Sequence, residues 1–239
     1  IKLHFADQGI FNFPYIWHFN TYVASIFKFF LLVVIVSMMA NEYSYKTLKQ
    51  NLIDGLSKKE FILSKFYTVV AFAVISTAFV FFISLILGLI YSDYNEFNII
   101  FSDLQYLFGF FLKLVSFFSF GLFMGILVKR SAFAIGGIVV WYLIEKICWL
   151  IALFSYRHLP GQDSITKANE AISFLPLESM SNLIKEPGTR LNAVKTLANA
   201  IEQQIVKNYD VQILDILIVS TWTLIFIYAS YRLLKKRDL

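Results

Sequence analysis

The sequence predicts an all-α, polytopic helical membrane protein with five visible transmembrane helices of an expected six. Three observations lead there. Of the 239 residues, 58% are hydrophobic and only 15% charged, whereas a soluble domain carries about 25% charged residues to cover its surface. The apolar runs are long and continuous, without the alternation of an outer-membrane barrel, and five of them reach the ~20 residues needed to cross the hydrocarbon as a helix. All four prolines, Pro14, Pro160, Pro176 and Pro187, fall between those runs, where a missing N–H interrupts no helix. Disorder, a collagen-like repeat, a disulfide scaffold and an ordinary cytosolic enzyme are excluded.

Taken in order, residues 1–21 read as an external loop that enters the bilayer through an aromatic belt of Tyr15, Trp17 and Tyr22. The expected spans are Tyr22 to Ala40, Phe66 to Tyr91, Leu104 to Val128, Phe133 to Phe154 and Ile213 to Leu234. Sidedness follows from the basic residues. Residues 41–65 carry Lys46, Lys49, Lys58, Lys59 and Lys65, the next turn on that side is Lys129-Arg130, and the tail holds Arg232, Lys235, Lys236 and Arg237. The 92–103 loop holds Asp93, Glu96 and Asp103 and no basic residue. The three basic segments therefore face the cytoplasm, and 1–21, 92–103 and 155–212 face out. An odd number of spans, an external start at Ile1 and no signal-peptide pattern lead us to expect a further span upstream, with both ends of the intact protein cytoplasmic. The lone Cys148, inside an apolar run, reads as packing material. In a soluble chain the net charge of +5 would suggest nucleic acid; in a membrane chain its distribution matters more, and no nucleic-acid partner is expected.

The segment 41–65 is the most informative. Tyr45, Leu48, Leu52 and Leu56 recur at helical spacing, with Glu42, Lys46, Lys49, Gln50 and Asp54 largely on the other faces. That pattern is an amphipathic helix on the membrane surface. Gly55 is placed to end it, and Ser57-Lys58-Lys59-Glu60 is a capping box that opens a new helix into the next span. Two readings stand: a re-entry loop whose lysines rest on anionic lipid, or a docking helix for a cytoplasmic partner. Its mixed charge leans toward the partner.

Here the chain resembles the ABC-2 type permeases, membrane subunits of a class of bacterial ABC transporters. The resemblance is carried by Asn41-Glu42-Tyr43, Lys46-Thr47-Leu48, Asp54-Gly55-Leu56-Ser57, Glu60-Phe61 and Lys65, and by the order and polarity of the spans. It implies a type V exporter-like fold in which 41–65 holds the coupling helix, seated in a groove of an ATP-binding subunit. The contact would be carried by Glu42, Tyr43, Lys46, Thr47, Lys49, Gln50, Asp54 and Gly55. It also implies two copies of that ATPase, a second permease copy or homologue, and a place in the bacterial inner membrane. The chain has no GxxxxGK[ST] and no glycine followed by lysine, so it cannot cradle phosphates by a P-loop. No cofactor is expected here; ATP and Mg would belong to the partner subunit.

Lys28, Lys113, Glu145 and Lys146 fall well inside the expected spans. Each costs ~2.5–3.5 kcal/mol at a helix centre on insertion scales, so such residues usually face protein or water. At ~1.5 Å per residue all four lie between the midplane and the outer leaflet. They read as structural ion pairs, with Glu145 meeting Lys28 or Lys113 of another helix or of a second copy, as charges that snorkel to the outer surface, or as a polar patch near the outer end of a substrate route that attracts an anionic substrate. Gly121 and Gly125 form a GxxxG, and Ser84 and Gly88 a second small pair; both favour close helix packing, inside the bundle or between subunits. Gly136-Gly137 offers a point of bending. Residues 155–212 read as an external helical cap, or as a platform for a periplasmic partner. The apolar stripe Leu191, Val194, Ala198, Ile201 and Ile205 predicts a helix from Thr189 to Asn208. His4, His18 and His158 lack metal-ligand spacing, and no GxSxG elbow appears. The function expected is the permease subunit of an ATP-driven exporter, with a non-transporting membrane scaffold as the alternative. An ion-driven carrier would normally show inverted repeats with broken helices at midplane, and no convincing internal repeat is present.

Overall fold

The computed structural model describes residues 9–94, 96–160, 162–191 and 208–237, and within them the regular structure is helical, without strands. The chain enters as a bent pair, α1 (Tyr15–Ile26) and α2 (Lys28–Ser44), meeting at 47°. Thr21 Oγ1 donates back to the Trp17 carbonyl at 2.7 Å and Ser25 Oγ to the Tyr22 carbonyl at 2.7 Å. Such back-bonding competes with the helical ladder and bends helices. At the bend the Phe27 N–H reaches the Ala24 carbonyl, one residue tighter than an α-helix.

A short helix α3 (Thr47–Ile53) follows, then the long α4 (Lys58–Tyr91). At ~1.5 Å per residue α4 is longer than the ~30 Å hydrocarbon core, so its first turns stand outside the membrane. The turn helix α5 (Phe97–Ile100) precedes α6 (Gln105–Val128), and a two-residue link leads to α7 (Ser131–Ser155). Between α7 and the last span lie α8 (Gln162–Ile172), α9 (Pro176–Asn182) and a 3₁₀ turn (Gly188–Arg190). The last span is α10 (Ile213–Lys236). Among the described residues four helices, α4, α6, α7 and α10, are long and apolar enough to cross a membrane, and the bent pair passes the same test when its two helices are taken together.

Helix α6 sits at the centre, touched by α1, α2, α4, α7, α9 and α10. Phe110, Leu114, Phe117, Phe118, Phe120 and Leu122 are all buried along it. It is not the most apolar span; α4 is, yet α4 and α7 remain largely exposed. The reason is that lipid is as apolar as a side chain, so burial in a bilayer is decided by close packing rather than by hydrophobicity. α6 carries the small residues. A Cβ on Gly121 would stand 2.4 Å from Leu32 Cδ1, and one on Gly125 2.9 Å from Met39 Cβ. The GxxxG is therefore the contact of α6 with α2 inside one chain. Gly88 does the same near the C-terminal end of α4, where a Cβ would stand 2.2 Å from the Phe13 ring.

The structure departs from the sequence reading at three places. Helix begins at Tyr15, within the segment read as an external loop, and Trp17 is fully buried in the protein, its Nε1–H donating to the Ile100 carbonyl at 2.8 Å. The polar residues that interrupt the apolar pattern there are satisfied by the neighbours, His18 Nε2 with the Lys185 carbonyl at 2.8 Å and Asn20 with Ser84 Oγ at 2.9 Å. α7 runs unbroken through Gly136-Gly137. Of the helix expected over Thr189 to Asn208, most lies outside the described residues, and Gly188–Arg190 is a 3₁₀ turn.

Candidate functional site: an elbow between two helices and a cavity

The 41–65 segment folds as an elbow between two spans. α2 continues to Ser44, so Glu42 and Tyr43 belong to it and not to the surface helix. Lys46 then takes a left-handed conformation at φ 59°, and a seven-residue helix restarts at Thr47. Gly55, at φ +102°, ends it where an L side chain would be strained. Ser57 Oγ accepts from the Glu60 N–H at 3.2 Å and the Glu60 carboxylate accepts from the Ser57 N–H at 2.8 Å, which is the capping box opening α4.

One carboxylate holds these pieces together. Glu42 on α2 forms an ion pair with Lys65 on α4, and its other oxygen accepts from Thr47 Oγ1 at 2.6 Å, so three helices meet on it. Glu42 is thus turned inward. Tyr43 is also partly buried, its hydroxyl accepting from Arg237 at 3.4 Å. Lys46, Thr47, Lys49, Gln50, Asp54 and Gly55 are exposed. The expected apolar stripe is narrower than its spacing implied: Leu48 is buried and Leu52 half-buried, but Tyr45 is 76% and Leu56 37% exposed. The left-handed residues at 46 and 55 rotate their neighbours out of the helical register. Ile53, 74% exposed, joins Tyr45 as an apolar element on the outer face.

Arg237 was legible in the sequence only as one positive charge. Its guanidinium donates to the carbonyls of Ile126 and Leu127, the latter at 2.8 Å, capping the end of α6. Its own carbonyl accepts from Lys58 Nζ at 2.8 Å. The start of α4 and the end of α6 are thereby clamped together by the residue that follows α10.

The four intramembrane charges come together in the structure. An open cavity of about 1050 Å³ is lined by Lys28 of α2, Lys113 of α6, and Glu145 and Lys146 of α7. Residues of α1, α8, α9 and α10 complete its wall, Asp215 among them. Within the chain Glu145 does not pair with Lys28 or Lys113. Glu145 Oε1 accepts from Trp141 Nε1 at 2.8 Å and from the Leu177 N–H at 3.0 Å, and Oε2 accepts from the Glu178 N–H at 2.9 Å. It satisfies the free N–H groups at the start of α9, which would otherwise be buried without partners. Lys146 pairs with Glu178 at 3.2 Å. Lys28 Nζ lies over the Phe117 ring at 4.7 Å, and Lys113 is only 3% exposed. Arg190 stacks over Tyr209 at 4.4 Å and donates to the Tyr106 hydroxyl at 3.2 Å. Burial pushes the Tyr209 phenol above its ordinary value, Arg190 opposing and Glu186 adding to the rise. Among the described residues no group of three or more His, Cys, Asp or Glu side chains is placed to hold a metal.

A family model described as "ABC-2 family transporter protein" matches residues 4–239. No curated protein and no solved structure matches the chain. The family match runs through the elbow, the cavity and every span around them, and so the chain belongs to the ABC-2 transporter family, as a multi-pass membrane permease that is not itself catalytic.

Proposed function

We propose that the chain is the permease subunit of an ATP-driven exporter in the bacterial inner membrane, and that the elbow receives the movement of a separate ATPase. The observation that carries this is the fastening of α3 between two spans by Glu42, Lys65 and Thr47. A surface helix that merely rested on lipid would need no such brace. In the coupled complex, two ATP-binding subunits hold ATP and Mg between them, and their approach pushes on α3. The exposed Tyr45, Lys46, Thr47, Lys49, Gln50, Ile53 and Asp54 form the face they press. The ion pair carries the push from α3 into α4, while Arg237 and Lys58 carry it to α6. A second permease copy or homologue completes the pathway, the cavity opens under the external cap, and the C-terminus lies in the cytoplasm.

The test separates docking from bracing. The full-length protein is isolated with its complex after crosslinking, as wild type, as Lys49→Glu with Asp54→Arg, and as Glu42→Ala. Docking predicts that the double variant loses the ATP-binding subunit. Glu42→Ala is expected to retain it while ATP hydrolysis no longer drives transport. If no ATPase is recovered with wild type, or the double variant retains it fully, the reading fails and a non-transporting scaffold replaces it.

A further inference from the structure

We infer that the cavity is an anion site: Lys28 and Lys113 bind the phosphate of an amphiphile whose apolar part lies against the aromatic mouth. Lys113 is 3% exposed and lines the cavity. Among the described residues neither it nor Lys28 has an ion-pair or hydrogen-bond partner, and both line the same cavity. Buried charges are normally paired, because leaving water costs more than any unpaired arrangement returns. Two like charges sharing one wall at bilayer depth are the reverse of that rule, and a shared anion resolves it.

Three of the carboxylates around the same cavity are engaged elsewhere: Glu145 is held by three donors at the start of α9, Glu178 pairs with Lys146, and Glu170 pairs with Lys167. Asp215 and Glu186 also line it. Among the described residues none of the five forms an ion pair with Lys28 or Lys113. Lys28 is also steadied from below by the Phe117 and Phe29 rings, at 4.7 and 5.7 Å, which holds its ammonium in place without cancelling its charge.

The apolar half of the ligand follows from the rim. Ile26, Phe29, Tyr142 and Leu214 all line the cavity and are all exposed. A head group at the lysines would leave its tail against these side chains. A phosphate with an apolar chain fits both halves, whereas a free phosphate fits only the inner one. The inference does not rest on ATP coupling, and its test needs no nucleotide.

The full-length protein in its complex is placed in nanodiscs of phosphatidylcholine with phosphatidylglycerol, and the lipid retained after purification is counted by native mass spectrometry. Inorganic phosphate is titrated calorimetrically in phosphatidylcholine alone. Wild type is compared with Lys28→Gln, Lys113→Gln, Lys113→Arg and, as a cytoplasmic control, Lys59→Gln. Losing one charge-assisted contact lowers anion affinity about tenfold, and Lys113→Arg, which keeps the charge and reports that the fold survives, retains it. Phosphatidylglycerol held by wild type and lost on either glutamine substitution identifies a membrane lipid as the source. Phosphate binding with the same lysine dependence but no lipid retention supports the anion site and overturns the amphiphile. Anion binding that neither glutamine substitution reduces, or that is absent for both probes, overturns the inference.

Discussion

At the scale of single residues, two carboxylates carry more structure than their charge suggests. Glu42 and Lys65 are 14% and 16% exposed at the side chain, between the surface pairs that contribute little and the buried ones whose breakage is severe. A double-mutant cycle of Glu42→Gln and Lys65→Met should give a coupling of about 1–2 kcal/mol in thermal unfolding. A coupling near zero would mean that the elbow is held by its backbone turns alone. Glu145 poses a different case, because it satisfies two N–H groups of α9 as well as an indole. Glu145→Leu strands all three donors and should cost about 3 kcal/mol, whereas Glu145→Gln keeps one acceptor and should cost about half as much. Equal losses for the two would point to shape rather than hydrogen bonding. The sequence marked both residues as notable, yet not their roles, since charge and spacing say nothing about which N–H groups a distant segment will bring.

At the scale of elements, the contacts are decided by glycine and by turn geometry. Gly55 has open space around it, so Gly55→Ala is opposed only by its φ of +102°; the expected cost is about 1–2 kcal/mol. The stronger effect belongs to Gly125. A side chain there meets Met39 Cβ at 2.9 Å, in the contact of α2 with α6. Gly125→Leu should lower stability by about 1–3 kcal/mol through overpacking. Gly136 has nothing within 4 Å, and Gly136→Ala should be neutral or raise stability by up to about 1 kcal/mol, as helix propensity alone would have it. Thermal midpoints of the purified variants check all three, and a Gly125→Leu protein as stable as wild type would mean that α2 and α6 do not pack closely at Gly125. The spacing of Gly121 and Gly125 was plain in the sequence. Their partner was not, because a small residue announces a close approach without saying what approaches.

At the scale of the whole molecule, the arrangement of spans predicts a sidedness. In a Cys148→Ser background, a cysteine at the exposed position Lys49 should react with an impermeant maleimide only from the cytoplasmic side. One at the exposed position Glu96 should react only from outside. Labelling in the opposite sense would invert the protein and with it the elbow's access to ATP. The same arrangement explains why the most apolar helix is not the most buried one. α6 holds the centre because its glycines and serines let six helices approach it, while α4 gives its larger apolar surface to lipid.

The long apolar helices and the capping box at Ser57 and Glu60 were readable from the chain alone. Each is a local property: bilayer thickness sets the length of an apolar run, and a cap needs only four consecutive residues. The start of helix at Tyr15 was hidden, because His18, Asn20 and Thr21 look like a loop until Lys185, Ser84 and the backbone of α1 satisfy them. The gathering of Lys28, Lys113, Glu145 and Lys146 around one cavity, and the choice of α9 rather than a lysine as the partner of Glu145, were settled only by tertiary packing. A polar group in a membrane must find a partner, but which partner it finds depends on helices far apart in sequence.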